Sequence, residues 1–251
     1  MRKGIARTNR KKKSNFYVEK KGYGAQKRLP VALLIDVSSS MRGTEKLINH
    51  CIKSFIEKLK TDMKGQVDFL LIFFNGDTVI KIKFQALDNI DKIEKFFISS
   101  EDIYGFTDTG RAIYTAIDCL IEKKEEYKKS GTLYHQPKIF LVSDGRVSAY
   151  VGAEKSLQGQ LEEKYDHAAE KVREMANADK LAFAAAAIQR KGGASANIKE
   201  LEKVTDYVIS VSDQKEMKLA KIEQFFEFMV QTITQQETPL GEVFHQFLGR
   251  E

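Results

Sequence analysis

The sequence predicts an α/β fold in which helices cover both faces of an open, mainly parallel sheet with one antiparallel edge strand. Three observations lead to this prediction. Short apolar runs at 29–35, 67–74 and 139–143 have no polar face, which is typical of central strands buried on both sides. Patterns of apolar residues three and four positions apart, typical of helices, separate these runs. The turn signal Asn75-Gly76-Asp77 leads into an alternating segment, which indicates an antiparallel strand.

The predicted elements alternate between strand and helix along most of the chain. In the first half we expect strand 29–35, helix 44–60, strands 67–74 and 80–84, a short helix at 88–98 and a helix at 110–129. In the second half we expect strand 139–143, helix 160–178, strand 181–188, helix 197–203, strand 207–211 and a helix at 215–235. Alanine dominates the strand at 181–188, and its small side chain indicates close packing of helices on the sheet.

The charge distribution separates a basic N-terminal arm from the rest of the chain. Residues 1–28 contain eleven Lys or Arg and a single acidic residue, Glu19. Residues 29–251 carry thirty Lys or Arg against thirty-four Asp or Glu. The net charge of +6 is therefore the sum of a strongly basic arm and a mildly acidic body, and such an arm could bind nucleic acid or an acidic partner.

We predict three segments: the basic arm over 1–28, one domain over 29–235 and a C-terminal tail over 236–251. The tail is weakly patterned, and Pro239 and Gly241 are expected to prevent a helix there. Its apolar side chains could dock on the domain or on a partner.

Composition argues against several classes of protein. No run approaches 18 consecutive apolar residues, so we expect no transmembrane helix and no membrane association. The basic N-terminus is not followed directly by an apolar segment with a cleavage site, which argues against a secretory signal. Two cysteines are too few for a disulfide framework or a thiolate zinc site. We therefore expect a cytoplasmic protein.

Polar side chains lie beside the ends of predicted strands. The segment Asp36-Val37-Ser38-Ser39-Ser40 follows the first strand, Asp144 follows the strand at 139–143, and Thr107 precedes the helix at 110–129. In open α/β sheets, ligands bind outside the carboxyl ends of the strands, where the strand order reverses. Because positions two apart in an extended chain face the same way, Asp36, Ser38 and Ser40 can direct three oxygens to one point.

These two carboxylates and three hydroxyls predict a metal site formed by Asp36, Ser38, Ser40, Thr107 and Asp144. An all-oxygen set without imidazole or thiolate suits Mg²⁺, Mn²⁺ or Ca²⁺ and does not suit zinc. Two carboxylates only just neutralise a divalent cation, so the cation keeps a position for an outside oxygen, most simply a partner's carboxylate. Taken alone, the Asp-x-Ser-x-Ser pattern is also typical of a loop in which Ser40 caps the next helix.

The five residues resemble the metal-ion-dependent adhesion site (MIDAS) of the von Willebrand factor A (vWA) family, and the resemblance covers about residues 29–235. The stretches Leu29–Asp36 and Ile139–Gly145 look like its bacterial cytoplasmic branch, typified by tellurium-resistance-associated vWA proteins. The resemblance implies a Rossmann-like sheet of strand order 3-2-1-4-5-6. It also implies that the hydroxyls of Ser38, Ser40 and Thr107 touch the metal and that the aspartates act directly or through water.

The resemblance further implies a protein-binding module that is not an enzyme. A partner would supply a Glu or Asp to the metal, in a bacterial stress-response or defence assembly. In this group such modules are associated with a protein kinase and a phosphatase, and in other branches with ATPases, encoded nearby. Arg146 departs from the branch, which often has an acidic or proline-containing loop there, and it puts a cation near the metal.

Two other functions compete with this interpretation. Residues 2–28 could bind nucleic acid, because their Lys and Arg could neutralise phosphates and Phe16, Tyr17 or Tyr23 could stack on bases. A Mg²⁺-dependent phosphatase with an aspartyl nucleophile also begins with a strand-end Asp, but it needs a second Asp where this chain has Ser38. The signatures Gly-x-Ser-x-Gly, Gly-x-Gly-x-x-Gly and the Walker loop do not occur, which argues against serine hydrolases and nucleotide binding.

Overall fold

The computed structural model describes residues 26–148, 155–189, 196–212 and 220–249. Its strands are β1 (Leu29–Asp36), β2 (Val67–Phe74), β3 (Thr78–Ala86), β4 (Lys138–Ser143), β5 (Ala182–Gln189), β6 (Val208–Ser212) and β7 (Ala220–Lys221). Its α-helices are α1 (Glu45–Asp62), α2 (Thr109–Ser130), α3 (Lys155–Asn177), α4 (Ile198–Val204), α5 (Ile222–Thr234) and α6 (Leu240–Leu248). No helix in these four ranges is both long enough and apolar enough to cross a bilayer.

The strands form one sheet in the order β3-β2-β1-β4-β5-β6-β7. Strand β3 is antiparallel to β2 and lies at one edge, and the other neighbouring strands run parallel. This arrangement confirms the predicted open α/β sheet with one antiparallel edge strand. The strand order reverses between β1 and β4, which are direct neighbours, so their carboxyl ends form the crevice in which open sheets bind ligands.

Alternating residues of β1 enter two hydrophobic cores on opposite faces of the sheet. Leu33 and Ile35 belong to the core beneath α1, α5 and α6. Ala32 and Leu34 belong to the core beneath α2, α3 and α4. Because both faces are covered, β1 needs apolar residues at successive positions, which is why its sequence has no polar face.

Strand β5 is the predicted alanine-rich strand, and its four central alanines (184–187) are fully buried. Alternate members lie in the two cores, so the small side chain is used on both faces. The tertiary position of the segment therefore outweighs the helix preference of alanine.

The predicted short helix at 88–98 is wrong. The segment instead contains two 3₁₀ turns, Leu87–Asn89 and Ile93–Phe96. Ile98 is held by Asn49 of α1, whose side-chain amide donates to the Ile98 carbonyl at 2.8 Å and whose oxygen accepts from the Ile98 amide at 2.8 Å. The apolar spacing that resembles a helix thus comes from isolated side chains that anchor an irregular segment to α1.

The tail also differs from expectation, because it forms α6. Pro239 lies just before the first turn of this helix, where proline loses no helical hydrogen bond. Gly241 lies against the Tyr207 ring, and a Cβ there would come 2.9 Å from the Tyr207 hydroxyl oxygen. The glycine therefore permits close packing, and Phe244 and Phe247 enter the core with α5.

The last predicted helix is shorter than expected in the described part of the chain. Residues 213–219 lie outside that part, and α5 begins at Ile222 rather than near 215. Just before it, β7 pairs in parallel with β6, which keeps residues 220–221 extended.

The start of β1 is fixed by a buried charge at the amino end of the sheet. The Arg28 guanidinium donates to both carboxylate oxygens of Asp68, at 3.0 and 2.6 Å, and Tyr127 donates its hydroxyl to the same carboxylate. Most of the predicted basic arm, residues 1–25, lies outside the described residues. The arm therefore joins the domain at the amino end of β1, whereas Asp36 lies at the carboxyl end.

We expect Phe244→Ala to lower the free energy of unfolding by about 3 kcal/mol, because it removes a large ring from a packed core. Phe244 is 8% exposed and contacts the rings of Tyr207 and Phe228. Leu248→Ala is the control on the same helix, since Leu248 is 42% exposed and its loss should cost less than about 0.5 kcal/mol. Urea denaturation of both variants measures the difference. Equal losses would contradict the assignment of α6 to the core.

Candidate metal site

Three loops meet beyond the carboxyl ends of β1 and β4, and backbone hydrogen bonds hold them together. The loop before α2 is tied to the loop after β1 by Tyr104 N to Val37 O, at 3.2 Å, and by Ser39 N to Gly105 O, at 3.2 Å. It is tied to the loop after β4 by Thr107 N to Ser148 O, at 2.9 Å. These contacts join the loops that carry Ser38, Ser40, Thr107 and Asp144, next to Asp36 at the end of β1.

Asp36 is fully buried at the end of β1. Its Oδ1 accepts a hydrogen bond from the Ser38 amide at 2.8 Å, and its Oδ2 accepts one from the Ser143 hydroxyl at 2.7 Å. Both carboxylate oxygens are thus oriented by the protein. This arrangement is compatible with Asp36 acting on a metal through water.

Ser143 is a site residue that the sequence analysis missed. It is buried at the end of β4, donates to Asp36 and accepts a hydrogen bond from the Gly145 amide at 3.0 Å. Ser143 thereby links the two strand ends that carry the carboxylates. The signal available in the sequence was its place directly before Asp144 in the strand next to β1.

Ser38 and Ser40 present their hydroxyls side by side, with the two Oγ atoms 3.0 Å apart. The alternative role for Ser40, as the N-cap of the next helix, is wrong. Thr44 holds the N-cap position of α1, and a 3₁₀ turn at Ser39–Met41 precedes it. The two-residue spacing thus brings the two hydroxyls into contact with each other.

Thr107 is buried on a loop that is supported from two sides. The Asp108 amide donates to Asn75 O at 2.7 Å, and the Phe106 ring lies against Gly76, where a Cβ would come within 2.5 Å of the ring. The turn Asn75-Gly76-Asp77 therefore serves the site as well as the hairpin.

Asp108 is buried next to Thr107 and anchors α2. As the N-cap it accepts a hydrogen bond from the Arg111 amide at 3.0 Å, and it forms an ion pair with Lys164 of α3 at 2.7 Å. These contacts engage its carboxylate, so its neighbour Thr107 remains the predicted ligand on this loop.

Asp144 is 4% exposed and begins a tight turn after β4. Its Oδ1 accepts from the Arg146 amide at 3.1 Å, and its Oδ2 lies 3.5 Å from Arg146 Nε. Gly145 has a φ of +74°, and a Cβ there would come 2.4 Å from Asn197 O. Only glycine fits this turn, which folds Arg146 back over the carboxylate.

The two carboxylates influence each other electrostatically. Burial and, next in size, the negative charge of Asp144 raise the pKa of Asp36 to about 7, against the hydrogen bonds from Ser38 and Ser143. Charging Asp36 therefore costs free energy in the metal-free protein. A divalent cation would offset that cost by its own charge.

The donor set fits a hard divalent cation. In the described ranges, no three His, Cys, Asp or Glu side chains cluster in a way that could hold a metal, so any cation here relies on hydroxyl oxygens as well. Asp36, Ser38, Ser40, Thr107 and Asp144 would hold it.

We expect the stability of the metal-free protein to fall as the pH rises from about 4 towards 7. Between these values the folded state keeps the Asp36 proton that the unfolded chain has released, so the stabilisation is lost as the pH rises through the folded pKa of about 7. Denaturation in chelator at pH 5 and pH 7 should show a wild-type loss on the order of 2 kcal/mol relative to Asp36→Asn. Parallel pH profiles of the two proteins would contradict the raised pKa.

The comparison with known proteins indicates the same family as the pattern of site residues does. The chain matches the family model "von Willebrand factor type A domain" over residues 31–239. No curated sequence matches it significantly. Proximal thread matrix protein 1 from the mussel byssus is similar in structure, with 17% identity and a TM-score of 0.51, over 85% of this chain and 49% of that one. The chain thus spans about half the length of that protein.

Two further solved structures share the fold. Another structure of the mussel protein, described as having a zinc-occupied MIDAS motif, has 15% identity and a TM-score of 0.52, over 84% of this chain and 46% of that one. The protein BatB from Bacteroides thetaiotaomicron has 16% identity and a TM-score of 0.50, over 83% of this chain and 98% of that one. The family match covers most of the sheet and its helices, and the chain belongs to the von Willebrand factor type A domain family.

Proposed function

We propose that this protein is a metal-dependent protein-interaction module that binds an acidic side chain of a partner through a Mg²⁺-type adhesion site. The observation that carries the proposal is that Asp36 ends β1 where the strand order reverses, next to three hydrogen-bonded loops that carry Ser38, Ser40, Thr107 and Asp144. Mn²⁺ or Ca²⁺ would also suit this oxygen set.

The site residues would hold a cation but would leave one of its coordination positions open. When bound, the cation supplies a positive charge with an open position for an outside oxygen. Ser38 and Ser40 would contribute adjacent neutral oxygens. Asp144 and, once the cation offsets its raised pKa, Asp36 would supply two negative charges. With the cation's charge only just balanced by the protein, a carboxylate from outside is the most favourable additional ligand.

The proposal includes the setting of the interaction. By its resemblance to the tellurium-resistance-associated branch, we place the protein in the bacterial cytoplasm, in a stress-response or defence assembly. Its partner would be a kinase, phosphatase or ATPase encoded nearby, and the module itself would not be an enzyme. The zinc in the relative's site belongs to that protein, and Mg²⁺ is proposed here because the donors are all hard oxygens.

We favour the two competing functions, a phosphatase and a nucleic-acid-binding protein, less than the metal-dependent interaction module. A phosphatase with an aspartyl nucleophile needs a general acid at position 38, where Ser38 instead lies 3.0 Å from the Ser40 hydroxyl. Nucleic-acid binding through residues 2–28 stays a prediction from the charge of the arm, most of which lies outside the described residues.

We expect Mg²⁺ to stabilise the wild-type protein and to leave Asp144→Ala unaffected. Binding to the folded state alone stabilises it by about 2.7 kcal/mol at a hundredfold excess over Kd, which a thermal melt detects. Asp77→Ala is the matched control, because its carboxylate lies on a neighbouring loop with 71% exposure and should not affect the response. Partner capture in pull-downs should follow the same pattern and should disappear in chelator. Capture that is equal with Mg²⁺ and with chelator would contradict the proposal.

We expect deletion of residues 1–15 to separate the arm from the site. The deletion removes seven Lys or Arg and little apolar surface, so the melting temperature should barely change. Metal-dependent capture should persist, because the arm joins the domain at the end of β1 opposite Asp36. Binding to nucleic acid, measured by fluorescence anisotropy against salt, should fall and lose its salt dependence. Loss of capture with retained metal binding would place the arm in the recognition surface.

A further inference from the structure

The Asp144 carboxylate has an internal cation beside it. Arg146 donates its backbone amide to Oδ1 at 3.1 Å, and its Nε lies 3.5 Å from Oδ2. The same residue thus faces both oxygens of a carboxylate that the site would need for a metal. The turn at Gly145, with its φ of +74°, brings the Arg146 backbone back to Asp144, so the Arg146 side chain begins beside this carboxylate.

We propose that Arg146 is a competing counter-ion of the metal site. Its guanidinium balances Asp144 in the metal-free protein, and a divalent cation binds by exchanging with it. This inference rests on the proposed function, since it concerns how the same site fills. The guanidinium and the cation carry like charges and need the same carboxylate, so each disfavours the other. Arg146 thereby lowers the affinity for metal and limits occupancy when no partner supplies a further carboxylate.

The neighbouring groove offers the guanidinium a place to move. Arg146 lines a groove of about 440 Å³ between α3 and α4, together with the carboxylates of Glu162, Asp166 and Glu200. Lys203 already pairs with Asp166 at 2.8 Å and with Glu200 at 2.9 Å. The Arg146 side chain is 32% exposed, so its release from Asp144 requires no opening of the core.

Lys203 gives a matched control for the charge itself. It lines the same groove as Arg146 and is 43% exposed, but its ion pairs are with Asp166 and Glu200 rather than Asp144. Removing Lys203 changes the net charge by the same amount as removing Arg146. A general electrostatic effect would therefore be equal in both variants, whereas an effect through Asp144 would be larger at Arg146 than at Lys203.

The test is Mg²⁺ titration of the 251-residue chain, followed by isothermal calorimetry without any partner. We expect Arg146→Gln to bind Mg²⁺ roughly two- to fivefold more tightly than wild type, the range expected from losing an ion pair whose guanidinium is partly exposed. Arg146→Lys, which keeps the charge, should stay closer to wild type than Arg146→Gln. Lys203→Gln, which leaves the Arg146–Asp144 ion pair in place, should gain clearly less affinity than Arg146→Gln. Thermal melts in chelator establish that each variant is folded.

The outcomes separate this inference from the proposed function. If wild type binds Mg²⁺ and Arg146→Gln binds it equally or less tightly, the competition is refuted while the metal site stands. If Lys203→Gln gains as much affinity as Arg146→Gln, net charge explains the effect and the specific role of Arg146 is refuted. If neither wild type nor Arg146→Gln binds Mg²⁺, the proposed function fails and this inference fails with it.

Discussion

The arrangement of the site depends on the burial of one carboxylate, Asp36, at the point where the sheet reverses its strand order. A buried negative charge is costly unless hydrogen bonds or a cation compensate it. Here the Ser38 amide and the Ser143 hydroxyl fix both of its oxygens, and each donor comes from a different strand end. The Ser143 hydrogen bond, which lowers the cost of the charge, therefore also joins the carboxyl ends of β1 and β4. The contact between Ser143 and Asp36 thus contributes both to the packing of the strand ends and to the geometry of the site.

The central sheet was predictable because its physical cause is local and repeated. Strands β1, β2 and β4 are covered on both faces, so their burial appears directly in the sequence as mainly apolar runs that lack a polar face. The candidate ligands were found for a similar reason. An Asp that ends an apolar run indicates the carboxyl end of a strand. Neighbouring parallel strands bring such ends together.

The features that were missed depend on contacts between distant parts of the chain. Helix α6 forms in spite of Pro239 and Gly241 because the Phe244 ring packs against the rings of Tyr207 and Phe228. The spacing of apolar residues along the sequence does not indicate these contacts. Ser143 acquires its role only when β4 lies beside β1. The segment at 88–98 has helical spacing, but Asn49 holds its end in an irregular conformation. The local sequence pattern therefore predicts secondary structure well where burial is regular. It predicts it poorly where a contact with one distant side chain determines the conformation.

The parallel placement of β1 has a mechanical consequence. Its amino end is fixed by the Arg28–Asp68 ion pair and receives the basic arm, and its carboxyl end carries Asp36. If the arm and the Asp36 end of the domain were held by different molecules, tension between them would run along the axis of β1. This strand is hydrogen-bonded to β2 over its full length on one side and to β4 on the other. The load would then act in shear on both ladders at once, so that many hydrogen bonds would have to break together rather than one after another.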